Sequence, residues 1–329
     1  MRAWLAQRKP NARECKQALA TSRAARRGTN RGARREYKPG IIIYYVLRSE
    51  ICLSFYPQFR ILGLRLNPDR QTKRRTPEAM NNIQQPFDEN KFNFNKVSPE
   101  EVLFSIEGED ADTHTVLVNV SPISRYHSLI CPSVNKCLPQ VVTLESLQLV
   151  VQIMFLVEDW DIKIGFNSMC GFASVNHLHY HIFVEKNSLY VEKVKWHHIK
   201  GNTYRLDQTY PVPAFCFQLQ KQSYAQTLKE VWKVLEYFLN KSIAHNILFT
   251  KRRLDGNGDV CVIIWPRRST TGAKKLAAFN VAVLELSGWF PIYDVEEFKN
   301  LQAADLEKEL GKWVPEDFNK ICEDIKLLL

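Results

Sequence analysis

Several features that would assign a protein to a class at once are missing from this chain of 329 residues. None of its eight cysteines belongs to a C-x-x-C pair, and cysteines scattered singly through a long chain are typical of a reducing compartment. No run of 18 apolar residues occurs, because charged residues interrupt the apolar-rich stretch 40–66, so we expect no transmembrane span. A hydrophobic fraction of 45% excludes a chain that is disordered over its whole length. We therefore expect a globular, cytoplasmic protein.

Basic charge is scarce outside the first quarter of the chain. Residues 1–75 contain 19 Lys and Arg against 4 Asp and Glu, whereas the remaining 254 residues contain 26 against 31. Because the body is mildly acidic, we expect no nucleic-acid partner for the folded part of the chain, and RNA binding through residues 1–38 stays an alternative. Residues 1–38, with 12 basic and two acidic side chains, are predicted to be disordered on their own. A mitochondrial presequence is the alternative, although Ser22 is the only serine of that stretch.

Length and local composition divide the chain into three parts. At roughly 100 to 200 residues per domain, the chain has room for two domains or for one large duplicated domain. We predict a basic, disordered extension over residues 1–65, a catalytic half over 66–195 and a C-terminal half over 196–329 that completes the fold. The oligomeric state is left open.

Hydrophobic periodicity predicts a mixture of helices and strands. Apolar residues recur at helical spacing from Val142 to Glu158, with Thr143 as N-cap, from Ser223 to Asn240, and from Pro315 to the C-terminus. Short β-rich runs predict strands over residues 115–119, 128–131, 162–166, 175–184, 247–250, 260–265 and 280–286.

The sharpest chemical feature is the run His177-Leu-His179-Tyr-His181. On a strand the three histidines would share one face, because side chains alternate between the two faces. One chemistry that suits three such imidazoles is metal binding, since His-x-His on a strand can chelate zinc, copper or iron. Glu185 follows at the carboxylate spacing of cupin metal sites.

The other chemistry is nucleophilic attack on phosphorus. A neutral imidazole is a competent nucleophile and a fair leaving group, so a central histidine can accept a nucleotidyl group and release it. The loop from Asn167 to Ser174, which precedes the histidines, favours this interpretation. Its small residues, hydroxyls and backbone N–H groups can cradle phosphate oxygens.

Two motifs, and their order along the chain, resemble those of the histidine triad superfamily. One is the run of three alternating histidines, and the other lies upstream, in Asn119-Val-Ser-Pro122 and His127-Ser-Leu-Ile-Cys-Pro132. Within that superfamily, residues 165–181 resemble the GDP-hexose phosphorylases, and further matching stretches extend the likeness over roughly residues 66–329. The third histidine agrees with the animal members of the family, which act on GDP-D-glucose. The plant members, which act on GDP-L-galactose, look like His-x-His-x-Gln.

The resemblance implies a fold and a reaction. The fold would be α+β, a histidine-triad-like antiparallel sheet with packed helices, with the second half as a candidate degenerate copy of the first. In the reaction, His179 would attack the α-phosphorus of GDP-D-glucose and expel D-glucose 1-phosphate, leaving a guanylyl-histidine. Inorganic phosphate would then release GDP, and water in its place would release GMP. No metal or other cofactor is required.

The resemblance also implies roles for single residues. His181 would donate a hydrogen bond to a phosphoryl oxygen, and His177 would orient His179. For Arg267, which could counter phosphate charge, a solvated basic turn is the alternative. The substrate-binding residues implied are Asn119, Asn167, Ser168, Gly171, Ser174 and Arg267.

Three residues depart from the family pattern. Cys170 and Tyr126 stand where glycine is usual, and Trp289 stands where histidine commonly follows Gly288. The first two place side chains near backbone that is expected to approach a ligand. Two other functions therefore stay open on sequence alone: a metal-dependent cupin-like enzyme, and a nucleotide-sugar-binding protein without catalytic activity.

Overall fold

The computed structural model describes residues 63–66, 79–107, 112–124, 126–253, 256–272 and 279–329. The predictions made for residues 1–62 lie outside the described residues. The strands are β1 (Gly63–Leu66), β2 (Val102–Glu107), β3 (Thr113–Val118), β4 (Ser128–Cys131), β5 (Ile162–Asn167), β6 (Tyr180–Val184), β7 (Trp196–Lys200), β8 (Thr203–Leu206), β9 (Phe215–Leu219), β10 (Ala244–Thr250), β11 (Val260–Arg267) and β12 (Trp289–Ile292). The helices are α1 (Leu144–Leu156), α2 (Tyr224–Asn240), α3 (Val283–Leu286), α4 (Val295–Asn300), α5 (Ala303–Gly311) and α6 (Phe318–Leu328).

Ten of these strands form one antiparallel sheet that runs through both halves of the chain, in the order β2-β3-β4-β6-β5-β10-β11-β9-β8-β7. Counted from its outer edge, each half arranges its five strands as first, second, third, fifth, fourth, and the two fourth strands, β5 and β10, pair at the centre. Each half also inserts its long helix between its third and fourth strands. The second half therefore repeats the topology of the first, and the expected α+β fold with a degenerate duplication is confirmed.

The strand β1 connects the beginning of the described chain to its C-terminal half. It pairs in parallel with β12, so that Gly63 lies opposite Trp289. Residues 63–65 of this pair fall within the segment assigned to the N-terminal extension. The boundaries at residues 65 and 195 stay predictions.

Both faces of the sheet are covered. On one face, α1, α2 and α6 pack on the sheet, and the buried residues there include Val150, Phe238 and Ile325. On the other face, Trp265 packs with residues of the C-terminal segment such as Phe290. Because strand side chains alternate, each central strand contributes to both cores.

The two long helices begin where the sequence predicts. The hydroxyl of Thr143 accepts the N–H of Ser146 at 3.1 Å, and α1 starts at the next residue after Thr143. α2 starts directly after Ser223. The last helix, α6, starts at Phe318, three residues later than expected. No helix of the described residues has both the length and the apolar composition to cross a lipid bilayer.

The predicted strand 280–286 is wrong, because residues Val283–Leu286 form a single helical turn. A short apolar run does not by itself distinguish a strand from a helix. The carboxylate of Glu285 accepts the N–H of Ala282 at 2.9 Å, which caps the start of the turn. Gly165 on β5 makes room for it, since a Cβ at that position would lie 2.7 Å from Cγ1 of Val283.

Candidate active site

The three histidines are not all on a strand. β6 begins at Tyr180, so the predicted strand 175–184 is wrong in its first half, where the chain is irregular. The pairing of β5 with β6 stops here, because the side chain of Gln140 lies between the backbones of Asn167 and His179. The alternation of faces is confirmed. Leu178 and Tyr180 lie in the helix-covered core. The rings of His179 and His181 lie on the opposite side, with their centres 5.2 Å apart.

His179 is held in one tautomer by the backbone. Its Nδ1 lies 2.7 Å from the carbonyl oxygen of His177, which can only accept a hydrogen bond. Nδ1 therefore carries the proton, and Nε2 presents its lone pair. Burial lowers the pKa of His179 to about 4, an effect larger than the opposing stabilisation of the cation by that carbonyl. The imidazole is thus neutral and nucleophilic at Nε2 near neutral pH.

His181 receives its tautomer through a relay that begins at a backbone N–H. The N–H of Ile123 donates to Nδ1 of His127 at 3.0 Å, so His127 carries its proton on Nε2. That Nε2 lies 2.9 Å from Nδ1 of His181, which must accept. His181 is left with its proton on Nε2, as a hydrogen-bond donor. His127 was missed as a site residue, although it belongs to the upstream motif.

His177 contributes to the site through its main chain. Its ring is fully buried, and its Nδ1 accepts the N–H of Phe94 at 3.0 Å. The rings of Phe87 and Phe94 lie 5.1 and 5.6 Å from the His177 ring. Burial lowers the pKa of His177 to about 4. The group of His177 that contacts the ring of His179 is therefore its carbonyl.

The loop that precedes the histidines is fastened to β10. The N–H of Ser168 donates to the carbonyl of His245, and the Oγ of Ser168 accepts the N–H of His245, each at 3.0 Å. A Cβ on Gly171 would lie 2.8 Å from the same carbonyl oxygen, so the close approach requires glycine. Ser174, later in the loop, is half-buried and has no side-chain hydrogen bond within the described part of the chain. Asn119 lies apart from this loop, with its amide nitrogen 3.1 Å from Nε2 of His127. Both groups are donors in the tautomer assigned to His127, so this contact is not a hydrogen bond.

Behind the loop, three polar side chains form a buried network. Asn246 donates to Oδ1 of Asn167 at 2.6 Å, and its own Oδ1 accepts from Nη1 of Arg267 at 3.2 Å. The guanidinium lies 4.8 Å from the ring centre of Phe172 and 4.4 Å from that of Trp313. Arg267 is only 2% exposed, and burial lowers its pKa to about 9. The alternative of a solvated basic turn is therefore wrong.

Both residues that replace a usual glycine adopt the backbone conformation that glycine favours. φ is 58° at Tyr126 and 57° at Cys170, in the left-handed region. The side chain of Cys170 is buried, which raises the pKa of its thiol. Trp289, the third departure, is the first residue of β12 and packs in the second core. Backbone conformation is thus itself a reason for glycine at the first two positions.

The carboxylate that the metal-binding alternative requires is engaged elsewhere. Glu185 lies beyond the far end of β6, where its carboxylate accepts the N–H of Asn187 at 3.0 Å. Among the residues that the structure describes, no group of three His, Cys, Asp or Glu side chains is arranged to hold a metal ion.

Comparisons with known proteins agree with the motifs. The family model described as GDPGP1-like, N-terminal domain matches residues 57–183, and the GDPGP1-like, C-terminal domain matches residues 189–327. GDP-D-glucose phosphorylase 1 of Danio rerio is 32% identical over 257 aligned residues, which cover 76% of this chain and 75% of that protein. GDP-D-glucose phosphorylase 1 of Xenopus laevis is 31% identical over 282 residues, which cover 72% and 71%.

Solved structures agree with the fold. Yeast Ap4A phosphorylase Apa2 in complex with Ap4A superposes with a TM-score of 0.56 at 15% identity, and the match covers 93% of this chain and 99% of that chain. At this identity the likeness extends to the fold alone. The family resemblance inferred from the two motifs is confirmed by the matching family models and by the relatives. This chain belongs to the GDPGP1-like family.

Proposed function

We propose that this chain is a GDP-D-glucose phosphorylase, which converts GDP-D-glucose and inorganic phosphate to GDP and D-glucose 1-phosphate. The names of its relatives support the substrate and the reaction type, a nucleotidyl transfer. The observation that carries the mechanism is the state of His179, a buried neutral imidazole with its Nδ1 engaged and its Nε2 lone pair available. The scattered cysteines of the chain fit a cytoplasmic location.

In the first step, Nε2 of His179 attacks the α-phosphorus of GDP-D-glucose. A P–N bond forms as the bond from the α-phosphorus to the bridging oxygen breaks, and the electron pair leaves with D-glucose 1-phosphate. Negative charge is spread over the phosphoryl oxygens in the transition state, where a preorganised donor is most effective. The Nε2–H of His181 is such a donor, and its partner His127 keeps the proton on that side of the ring.

In the second step, an oxygen of inorganic phosphate attacks the phosphorus of guanylyl-His179. The P–N bond breaks, the imidazole recovers its lone pair, and GDP leaves. Nδ1 of His179 keeps its proton throughout and donates it in a hydrogen bond to the carbonyl of His177, so the ring returns to the tautomer in which it began. Water in place of phosphate would yield GMP.

The remaining site residues divide into two groups by their contacts. The amide nitrogen of Asn167 and the hydroxyl of Ser174 have no hydrogen-bond partner among the described residues, which suits them to phosphate oxygens. Ser168, Gly171 and Arg267 hold the loop in shape instead. Asn119, against the ring of His127, is assigned to the ribose on the strength of the superfamily resemblance alone.

The test is the intact-protein mass after brief incubation with GDP-D-glucose in the absence of phosphate. The wild-type chain should gain the mass of one guanylyl group, and added phosphate should discharge it as GDP. His179→Ala should gain nothing, whereas His198→Ala, which removes an exposed histidine on β7, should behave as wild type. Binding of GDP-D-glucose without any adduct would contradict the covalent mechanism and favour the non-catalytic binding protein.

A further inference from the structure

We propose that Gln140 is a positioning residue of this reaction, whose side-chain amide replaces a missing strand partner of His179 and sets the direction of its Nε2. The inference rests on the proposed function. Gln140 is 1% exposed and lies in the segment between the 3-10 turn Val134–Lys136 and α1.

The register of the central strands shows what Gln140 replaces. β5 and β6 pair antiparallel with Gly165 opposite His181, so the next pair in line would be Asn167 and His179. That pair does not form. Nε2 of Gln140 instead donates to the carbonyl oxygen of Asn167 at 2.9 Å and to that of His179 at 3.1 Å.

The third contact completes the substitution. Oε1 of Gln140 accepts the N–H of His179 at 2.9 Å, so one carboxamide satisfies both backbone groups of the nucleophile residue. Gln140 is itself held, because its N–H donates to Oδ1 of Asn176 at 2.9 Å. The amide of Asn176 in turn donates to the carbonyls of Gln85 and Pro86, at 3.0 and 2.8 Å.

This arrangement ties together the two segments that must meet the same phosphorus. His179 carries the nucleophile, and Asn167 begins the loop assigned to the phosphate oxygens. With the amide of Gln140 between them, the spacing of the two backbones is that of an inserted side chain rather than that of a closed ladder. A change at Gln140 should therefore alter the angle of attack, although it removes no side chain assigned to the substrate.

Gln140→Glu is the informative variant, because it keeps the size and the acceptor for the N–H of His179 but loses both donors. Two carbonyl oxygens would then face a carboxylate, which raises its pKa, and protonation at low pH would return one donor. The buried titratable side chains beside it, His177 and His179, have pKa values of about 4 and are neutral across the range to be tested.

The experiment is the rate of guanylyl-enzyme formation in a single turnover with GDP-D-glucose, at pH 8 and at pH 5.5. Relative to wild type, Gln140→Glu should be slower by about tenfold or more at pH 8, and the gap should narrow at pH 5.5. Gln140→Met, which has no donor at any pH, should be slow at both. Gln84→Glu is the control for the substitution itself, because it removes a hydrogen bond from an exposed amide, to the carbonyl of Leu239, outside the site.

The outcomes separate this role from a structural one and from the proposed function. A Gln140→Glu enzyme that forms the adduct at the wild-type rate at pH 8, or that is equally slow at both pH values, overturns the positioning role. So does a rate loss matched by a fall in the affinity for GDP. A wild-type chain that forms no adduct overturns the proposed function and this role with it.

Discussion

Replacing Gly171 by alanine tests how tightly the loop beside the nucleophile is built. The new Cβ would lie 2.7 Å from Oγ of Ser168 and 2.8 Å from the carbonyl oxygen of His245. Neither atom can withdraw freely. Oγ of Ser168 accepts the N–H of His245, and the carbonyl of His245 accepts the N–H of Ser168, so a shift of either one breaks a bond between the loop and β10.

The size of the effect follows from these contacts. Overpacking a close-packed interior costs about 1–3 kcal/mol, and each hydrogen bond lost between the loop and β10 adds about 1 kcal/mol. We expect Gly171→Ala to lower the free energy of unfolding by about 2–4 kcal/mol on these terms. We also expect slower guanylylation of His179, since the loop that is proposed to meet the phosphate must shift.

Urea unfolding of Gly171→Ala should be compared with that of Gly311→Ala. Gly311 ends α5, and a Cβ there would meet no atom within 4 Å. That variant should therefore be neutral or more stable by about 0.5–1 kcal/mol, because alanine loses less backbone entropy than glycine in a helix. Only Gly171→Ala should lower the free energy of unfolding. A Gly171→Ala chain with wild-type stability and wild-type guanylylation would refute the close contact.

Two further predictions concern buried ionisable side chains. Burial lowers the pKa values of His177, His179 and His245 to about 4, below the unfolded value of 6.5, so the unfolded chain binds more protons between these values. Stability should be full above pH 6.5 and should fall toward pH 4, by up to about 1.4 kcal/mol per pH unit for each residue; equal urea midpoints at pH 7 and 5 would contradict this. Lys163→Met removes the partner of Glu192, 2.6 Å away and 2% exposed, and should cost about 3–5 kcal/mol in a thermal melt. Adding Glu192→Gln should restore part of that loss, and a single variant as stable as wild type would show the pair to be dispensable.

Local signals in the sequence predicted the elements whose causes are local. The cap at Thr143 marks the start of α1, and the apolar stripe that follows Ser223 marks α2, because both signals are encoded within a few residues. The segment 280–286 was mispredicted because its conformation depends on a distant contact. Its short helical turn packs where Gly165 leaves space on β5, and no property of the segment itself indicates that space.

The sequence by itself determined the class of reaction and predicted His179 as its nucleophile, since three histidines at alternating positions after a small-residue loop can be recognised without a structure. The tautomer of His179 is also local, because the carbonyl that accepts its Nδ1–H belongs to His177. Only the tertiary structure decided the state of His181, through the ring of His127, and the support of His179 by Gln140. These bonds join residues that are 54 and 39 positions apart. Contacts at such separations follow no period in the chain and arise only when the folded sheet brings distant segments together.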